Sequence, residues 1–452
     1  MLTHGLASPD SIRNIFHIVR AVREDKAYIC VEHHNSQGKI ELKKLVKSVL
    51  NKSALTKTQS ILIAAILIVA VAFGAYPYLA PPPTPPTPTK TLTPRELWMS
   101  NGKLGPYAPA TDDWNEIITK AKQEGRVVVY SLSSRIPDVA AAFKKRFPEI
   151  EVEYYDISDV TIKEKLIREQ ESQNFQADVL FYADYPTVVN LVIPKGYAVN
   201  WVPTNMTGVI PEKWRTPALV HSMESRTIIY NNETYKQQPV TSLWDLTKTE
   251  WKGKVMMKDP LASSDIMNWL TLLTQPDIAK QLADEYQRVF GQPLKLSTAN
   301  AGYEFIKMLK KNDVVLTQAD GDVSNGVGAR GQKSPPIGIC VVSKLRDVKA
   351  KNLAMEAIYD LRPFAGVYKR NVLNIANMAK HPWTSKLFIT FMLHWNGYNA
   401  GYWVPGQYSP RSDLPLPPAS PRLDKTTLME VESYSGFIYT SAVVIRDFWI
   451  GL

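Results

Sequence analysis

RVVVYSLSSRIPDVAAAFKKRFPEIEVEYY, residues 126–155, carries the pattern from which the rest of the chain is read. Arg126 to Ser131 is a short, nearly continuous apolar run, the composition of a parallel strand covered on both faces. Ser131 to Arg135 is a polar loop, and Pro137 opens a helix at a position where a missing N–H is no loss. Val139, Ala142, Phe143 and Phe147 give that helix one apolar face, and Pro148 stops it. Ile150, Val152 and Tyr154 then alternate with acids as a second strand. The alternation extends both ways. Trp114 to Glu124 reads as a preceding helix ended by Gly125, and Thr161 with Glu164 reads as the capping box of a following one. Ala177 to Phe181 is a third strand. Strands and helices alternating at this spacing predict an α/β fold with a parallel, doubly wound sheet.

A second such unit follows. Arg226 to Tyr230, Lys254 to Met257, Val314 to Thr317 and Ile337 to Val342 read as strands. Asp265 to Thr274, Asp277 to Phe290 and Thr298 to Lys311 read as helices. Val372 to Ala376, a helix from Pro382 to Leu393, and an aromatic, proline-rich tail complete the chain. The expectation is a bilobal domain over 109–452, with lobe 1 at about 109–229 and 343–452 and lobe 2 at about 230–342. Its two sheets are joined by a hinge at Tyr230, Asn231, Val342 and Ser343, with a ligand cleft between lobes.

Upstream, ILIAAILIVAVAFGAYPYL (61–79) is uncharged and, as a helix, reaches roughly 28 Å, the thickness of a bilayer's hydrocarbon layer. A soluble helix this long would show a polar stripe. One transmembrane helix is therefore expected, with an anchor over 58–80. Lys43, Lys44, Lys47, Lys52 and Lys57 precede it while only Lys90 and Arg95 follow closely, which places residues 1–57 in the cytoplasm and the bulk of the chain outside. Small residues such as Ala70, Ala72 and Gly74 admit a peptidase, but 60 residues precede the apolar run, far more than a signal peptide's charged leader, so a retained anchor is favoured. Pro81 to Pro94, PPPTPPTPTKTLTP, should adopt polyproline II and form a stiff stalk, taken to span 81–108.

The net charge of +10 divides unevenly, since residues 1–60 hold ten Lys/Arg against five Asp/Glu. Topology and anionic headgroups account for that excess, and no basic run is interleaved with stacking aromatics, so no nucleic-acid partner is expected. Cys30 and Cys340 fall on opposite sides of the expected membrane and do not pair. His33-His34 reads as a solvated pair, and His221, His381 and His394 belong to no HExxH or Cys/His cluster, so no metal and no cofactor is expected. Neither a GxSxG elbow nor a Ser-His-Asp set is present, and the protein is not expected to be an enzyme. Asn205 and Asn232 head glycosylation sequons.

Seven stretches in order, VVVYSLSS (127–134), AAAFKKRFPEIEVEYY (140–155), ADVLFYAD (177–184), KGYAVNW (195–201), IIYNNETY (228–235), SLWDLTKTEWKGKVMMKDP (242–260) and VLNIANMAKHPWTSKLFITFML (372–393), resemble the extracellular solute-binding proteins of ABC importers. The branch is the one containing iron(III), thiamine, polyamine and phosphonate or phosphorylated-solute binders. The resemblance implies a two-lobed, periplasmic-binding-protein-like type II fold, a monomer, and an ABC permease as partner. It also implies that Tyr182 and Asp184 reach the ligand. Iron binders of this branch take adjacent tyrosines from the second lobe. Here Tyr154-Tyr155 sits in a first-lobe strand and residues 320–330 contain no tyrosine, which argues against iron.

The residues themselves point to an anionic or polar solute. Ser131, Ser133 and Ser134, then Ser263 and Ser264, then Asp320, Asp322, Ser324 and Asn325 lie in polar loops or first turns that open helices. Unpaired backbone N–H groups and a partial positive charge collect there. Each of these side chains could equally serve only to cap its helix. Gly326 to Gly331 looks like a phosphate loop, but tight helix packing accounts for it better. Two other functions remain open: a single-span sensor reporting to residues 1–57, and a lobed extracellular enzyme.

Overall fold

In a computed structural model that describes residues 91–452 and the single helical position Ala65, the chain enters lobe 1 at once. Helix α1 (Pro94–Asn101) begins in a capping box, Thr93 accepting from the Glu96 N–H and Glu96 from the Thr93 N–H. Arg95 donates to the Asn377 side chain (2.8 Å) and the Trp98 indole to the Ala379 carbonyl (2.9 Å), while Met99 and Leu104 are buried. The stalk expected over 81–108 is thus corrected: from Thr93 on, anchoring side chains make these residues part of the lobe. Residues 1–57, the expected anchor at 58–80 apart from Ala65, and residues 81–90 lie outside the described residues. Among the described residues, no helix is long and apolar enough to cross a membrane.

Lobe 1 continues through α2 (Trp114–Glu124), β1 (Arg126–Ser131), α3 (Ile136–Arg146), β2 (Glu151–Asp156), α4 (Asp159–Glu171), β3 (Val179–Tyr182) and β4 (Ala198–Val199). β1 pairs in parallel with both β2 and β3. Val127 and Val129 face one core and Val128 and Tyr130 another, so the strand is apolar on both sides because both are covered. Ser158, rather than the expected Thr161–Glu164 box, caps α4 by accepting from the Thr161 N–H.

β5 (Leu219–Tyr230) then carries the chain into lobe 2, built from β6 (Val255–Lys258), α5 (Ser264–Leu273), α6 (Pro276–Phe290), α7 (Ala301–Lys311), β7 (Val315–Thr317), α8 (Asp320–Gly328), β8 (Ile337–Val341) and β9 (Glu356–Ala357). β10 (Gly366–Ala376) returns to lobe 1, where α9 (Pro382–Leu393) and α10 (Trp395–Gly401) pack on the sheet. β11 (Gln407–Tyr408), β12 (Leu428–Glu430) and α11 (Ser435–Gly451) close the chain. The main sheet path runs β2-β1-β3-β10-β5-β8-β6-β7.

Three expectations are corrected here. The two lobes share one mixed sheet rather than owning separate parallel ones, because β5 and β10 run antiparallel through both, joined along Gly366–Leu373 with a bulge at Asn371/Val372. Tyr230 and Asn231 stand at the outer end of β5, where the Tyr230 hydroxyl bonds Glu356 and Asn231 bonds the 327–329 carbonyls, so the crossing lies upstream of them. Residues assigned to lobe 1 also change sides: Ile358, Leu361, Phe364, Val367, Leu428, Val431, Ile438, Ile445 and Trp449 complete the lobe 2 core. The expected proline-rich tail ends in α11, which packs on α5 of lobe 2 and also reaches the Tyr185–Val192 turn of lobe 1.

Behind the crossing, Arg370 of β10 donates from Nη2 to Glu430 (2.8 Å) and from Nη1 to the Tyr185 hydroxyl (3.1 Å), with its guanidinium over Trp214. Its backbone N–H donates to Glu432 (2.6 Å). Burial raises the Glu432 carboxyl from 4.5 to about 7 even though Arg370 favours the ionised form. The folded protein therefore holds this proton between pH 4.5 and 7 while the unfolded chain has lost it, and stability falls as pH rises through that window. Glu432→Gln is expected to leave urea stability nearly unchanged at pH 4.5 and to raise it at pH 8.5, by up to ~3 kcal/mol. A variant that is no more stable than the parent at pH 8.5 contradicts this assignment.

Candidate functional site

The middles of the two crossing strands are polar yet buried. Between the apolar pairs Leu219-Val220 and Ile228-Ile229, β5 places Ser222, Glu224, Ser225 and Arg226 at 0–4% exposure, and β10 adds Lys369 and Asn371 at 3% and 1%. Each needs a partner, since a buried unpaired charge is expensive. Arg226 is clamped by two carboxylates: Nε and Nη2 donate to Asp265 (3.0 and 2.8 Å), and Nη1 and Nη2 donate to Asp320 (2.8 and 3.1 Å). Lys369 lies 3.3 Å from Glu224 and 3.2 Å from Asp265, and the Ser343 hydroxyl donates to Glu224 (2.8 Å). Burial opposes ionisation of Asp265, Asp320 and Glu224. The neighbouring cations outweigh it and hold all three below the usual carboxylate range.

This network floors a cavity of about 320 Å³ between the lobes. Lobe 1 contributes Ser133, Ser134 and Arg135 from the loop after β1 and Asp156, Ser158 and Asp159 from the β2–α4 turn. Lobe 2 contributes Lys258 after β6, Ser263 and Asp265 at the start of α5, and Asp320 and Gly321 at the start of α8. Ser343, Lys344 and Arg346 line it from the connection after β8. The helices α3, α4, α5 and α8 all begin at or beside it, so their free N–H groups add to its positive character. The lobes also touch directly, with the Asn268 amide of α5 donating to Asp184 (3.3 Å), which in turn pairs with Lys163 (3.1 Å).

Of the residues proposed from sequence, Ser133, Ser134, Ser263, Asp320 and Ser343 line the cavity. Ser131 lies just behind, its hydroxyl oxygen accepting from the Ser133 N–H (3.1 Å). Tyr182 is buried in the lobe 1 core, donating to Asn374 (2.8 Å), and Asp184 is spent on the interlobe contact. Ser264 is buried outside the lining, and Asp322 is exposed and accepts from the Ala319 N–H at the start of α8. Ser324 turns back to the Gly321 carbonyl, exposed Asn325 meets Lys351, and Val342 is buried against Gly406. Asn205 and Asn232 are both exposed. Tyr154 and Tyr155 stand exposed on β2, no tyrosine lines the cavity, and no metal-holding cluster of His, Cys, Asp and Glu occurs among the described residues.

Sequence reading missed the charges: Arg135, Asp159, Glu224, Lys258, Lys344, Arg346 and Lys369. A signal was present, because Leu219 to Tyr230 contains no Gly or Pro, so its polar middle need not have ended the strand. A second hollow, about 410 Å³ along α6, is lined by Ala279, Ala283 and Leu294, and its Lys280 and Asp284 pair with each other. It offers a ligand no buried polar group.

No family model matches the sequence, and no curated protein matches it. Solved structures do. The substrate-binding protein of an ABC transporter from Agrobacterium tumefaciens aligns with a TM-score of 0.56 at 14% identity, over 72% of this chain and 93% of that one. Iron-bound HitA from Pseudomonas aeruginosa aligns at 0.54 and 15%, over 72% and 99%. AfuA from Actinobacillus pleuropneumoniae, a periplasmic binding protein with exogenous fructose-6-phosphate bound, aligns at 0.54 and 17%, over 72% and 97%. The chain has the periplasmic-binding-protein fold. In that fold the cavity floored by Arg226 occupies the cleft between lobes.

Removing Arg226 would strand two buried carboxylates. Arg226→Met is expected to destabilise the protein by about 3–5 kcal/mol, with Asp265→Asn and Asp320→Asn restoring part of the loss when combined with it. Urea titrations of the single and triple variants measure this, and a triple variant no more stable than Arg226→Met contradicts the clamp.

Proposed function

We propose that this protein is a membrane-anchored extracellular receptor that captures a small anionic or polar solute between its lobes and delivers it to an ABC import permease. One observation carries the reading. The interlobe cavity is lined by Arg135, Lys258, Lys344 and Arg346, the side chains of Lys258 and Lys344 making no hydrogen bond or ion pair, while the carboxylates on its floor are engaged by Arg226 and Lys369 and only Asp156 and Asp159 of lobe 1 line it unpaired. Burial and the neighbouring Arg346 push the Lys344 ammonium below its ordinary range, against the pull of Asp347 and Asp320. Support for the transport role comes from the fold shared with the binding proteins named above. Support for the anchor and orientation comes from the uncharged 61–79 stretch and its lysine-rich leading flank.

Closure follows from differential contact. A solute touching Arg135 on lobe 1 and Lys258 on lobe 2 binds both only when the lobes are shut, and that difference in affinity shifts the population. Ser131 and Ser133 accept from backbone N–H groups of their own turn, and the Glu224 carboxylate that accepts from Ser343 is itself held by Lys369 and Arg135 rather than free to act as a base, which supports a ligand held and released unchanged.

In a thermal and chemical denaturation screen against small anions, a true ligand at a hundred times its dissociation constant is expected to add about 2.7 kcal/mol. Lys344→Ala and Arg346→Ala should each abolish most of that gain, and the ligand should be recovered intact. Deleting residues 1–50 should leave both capture and uptake in place. Stabilisation that survives both cavity substitutions, or a ligand returned chemically altered, would overturn this reading.

A further inference from the structure

The charges lining the cavity are sorted rather than mixed. Arg135, Ser343 and Arg346 gather around Glu224: Arg135 Nη2 stands 3.6 Å from Glu224 Oε1, the Ser343 hydroxyl donates to the same oxygen, and Arg346 Nη1 donates to the Ser343 carbonyl (2.7 Å). Lys344 adjoins them without a partner. Glu224, already shared with Lys369, and Asp347, 3.8 Å from Arg346 and itself paired with Lys351 (3.0 Å), are the carboxylates that serve these cations, and Arg135 Nη1 is buried with no acceptor. Burial and the nearby Arg135 lower the Arg346 guanidinium in spite of Asp347 and Glu224.

The opposite wall behaves the other way. Asp159, the first residue of α4, is 4% exposed; Oδ1 meets only the adjacent Val160 N–H (3.2 Å), and Oδ2 is buried with no partner at all. Lys258 faces it from β6 without reaching ion-pair distance, and Lys369 is committed to Glu224 and Asp265. Burial, with Asp184 and Asp265 nearby, raises the Asp159 carboxyl. A simple anion filling this cavity would answer Arg135, Lys344 and Arg346 but leave Asp159 Oδ2 buried and unmet, while a simple cation would do the reverse.

We propose that the cavity is built for a zwitterion, a small molecule whose anionic group is held by Arg135, Lys344 and Arg346 and whose ammonium group donates to Asp159. This rests on the cleft being a solute site and assigns the class of solute. Asp159 is then the residue that selects for the amino group, while the cationic wall supplies affinity common to all anions.

Isothermal titration of the full chain with matched pairs tests it: phosphoethanolamine against ethyl phosphate, and β-alanine against propionate, the two pairs distinguishing a phosphoryl from a carboxylate end. In at least one pair the amine-bearing member is expected to bind ten-fold or more tightly. Asp159→Asn is expected to erase that preference without weakening binding of the amine-free partner, circular dichroism melts confirming that the variant folds. Amine-free anions binding as tightly as their zwitterionic partners, or a preference that persists in Asp159→Asn, overturns the zwitterion assignment and leaves anion capture standing. The absence of binding to all four probes overturns the assignment as well, and the broader anion screen then decides separately whether the cleft captures a solute.

Discussion

A single guanidinium, Arg226, fixes how lobe 2 is joined to the crossing strand β5. It sits on β5 in the middle of the crossing and is gripped by Asp265 at the start of α5 and by Asp320 at the start of α8. Those two helices begin beside the cleft, and their positions relative to the crossing strand are set by this fork-shaped contact. A buried ion pair is a poor source of net stability, but a half-made one is ruinous, so the geometry is strongly specified. The polar stretch that interrupts two otherwise apolar strands is therefore what fixes the floor of the cavity.

That floor has a consequence for recognition. Because Asp265 and Asp320 are committed to Arg226 and Lys369, and Glu224 is divided between Lys369 and Arg135, little of their charge is left for Lys344 and Arg346. Lys344, Arg346 and Arg135 face the cavity with charge to spare, and the helix starts add partial positive charge around them. The likeness in fold to iron-bound HitA and to AfuA with fructose-6-phosphate bound identifies no solute for this chain, and its cavity presents a cationic wall and the unpaired carboxylates Asp156 and Asp159 rather than tyrosines.

The antiparallel pair β5 and β10 also joins the lobes. They form a two-stranded connection with a bulge at Asn371/Val372, inside one continuous sheet. α11 adds a contact to both lobes, and Arg370 joins β10 to the segment before it through Glu430 and Glu432.

What the sequence determined by itself is local. Strands such as Arg126–Ser131 and helices such as Trp114–Glu124 and Pro382–Leu393 were legible because apolar periodicity, caps and glycine or proline stops act over a few neighbouring residues. The two-lobed class followed from their alternation, and the serine and aspartate loops followed from helix starts. The tertiary structure alone decided that β5 runs unbroken through His221 to Thr227 and β10 through Gly366 to Asn371, since burial there depends on partners far away in the chain. Arg226 meets Asp265 and Asp320 across 39 and 94 residues, and no local pattern announces such a pair. For the same reason Asp159, Lys344 and Arg346 read as ordinary surface charges until folding enclosed them around one cavity.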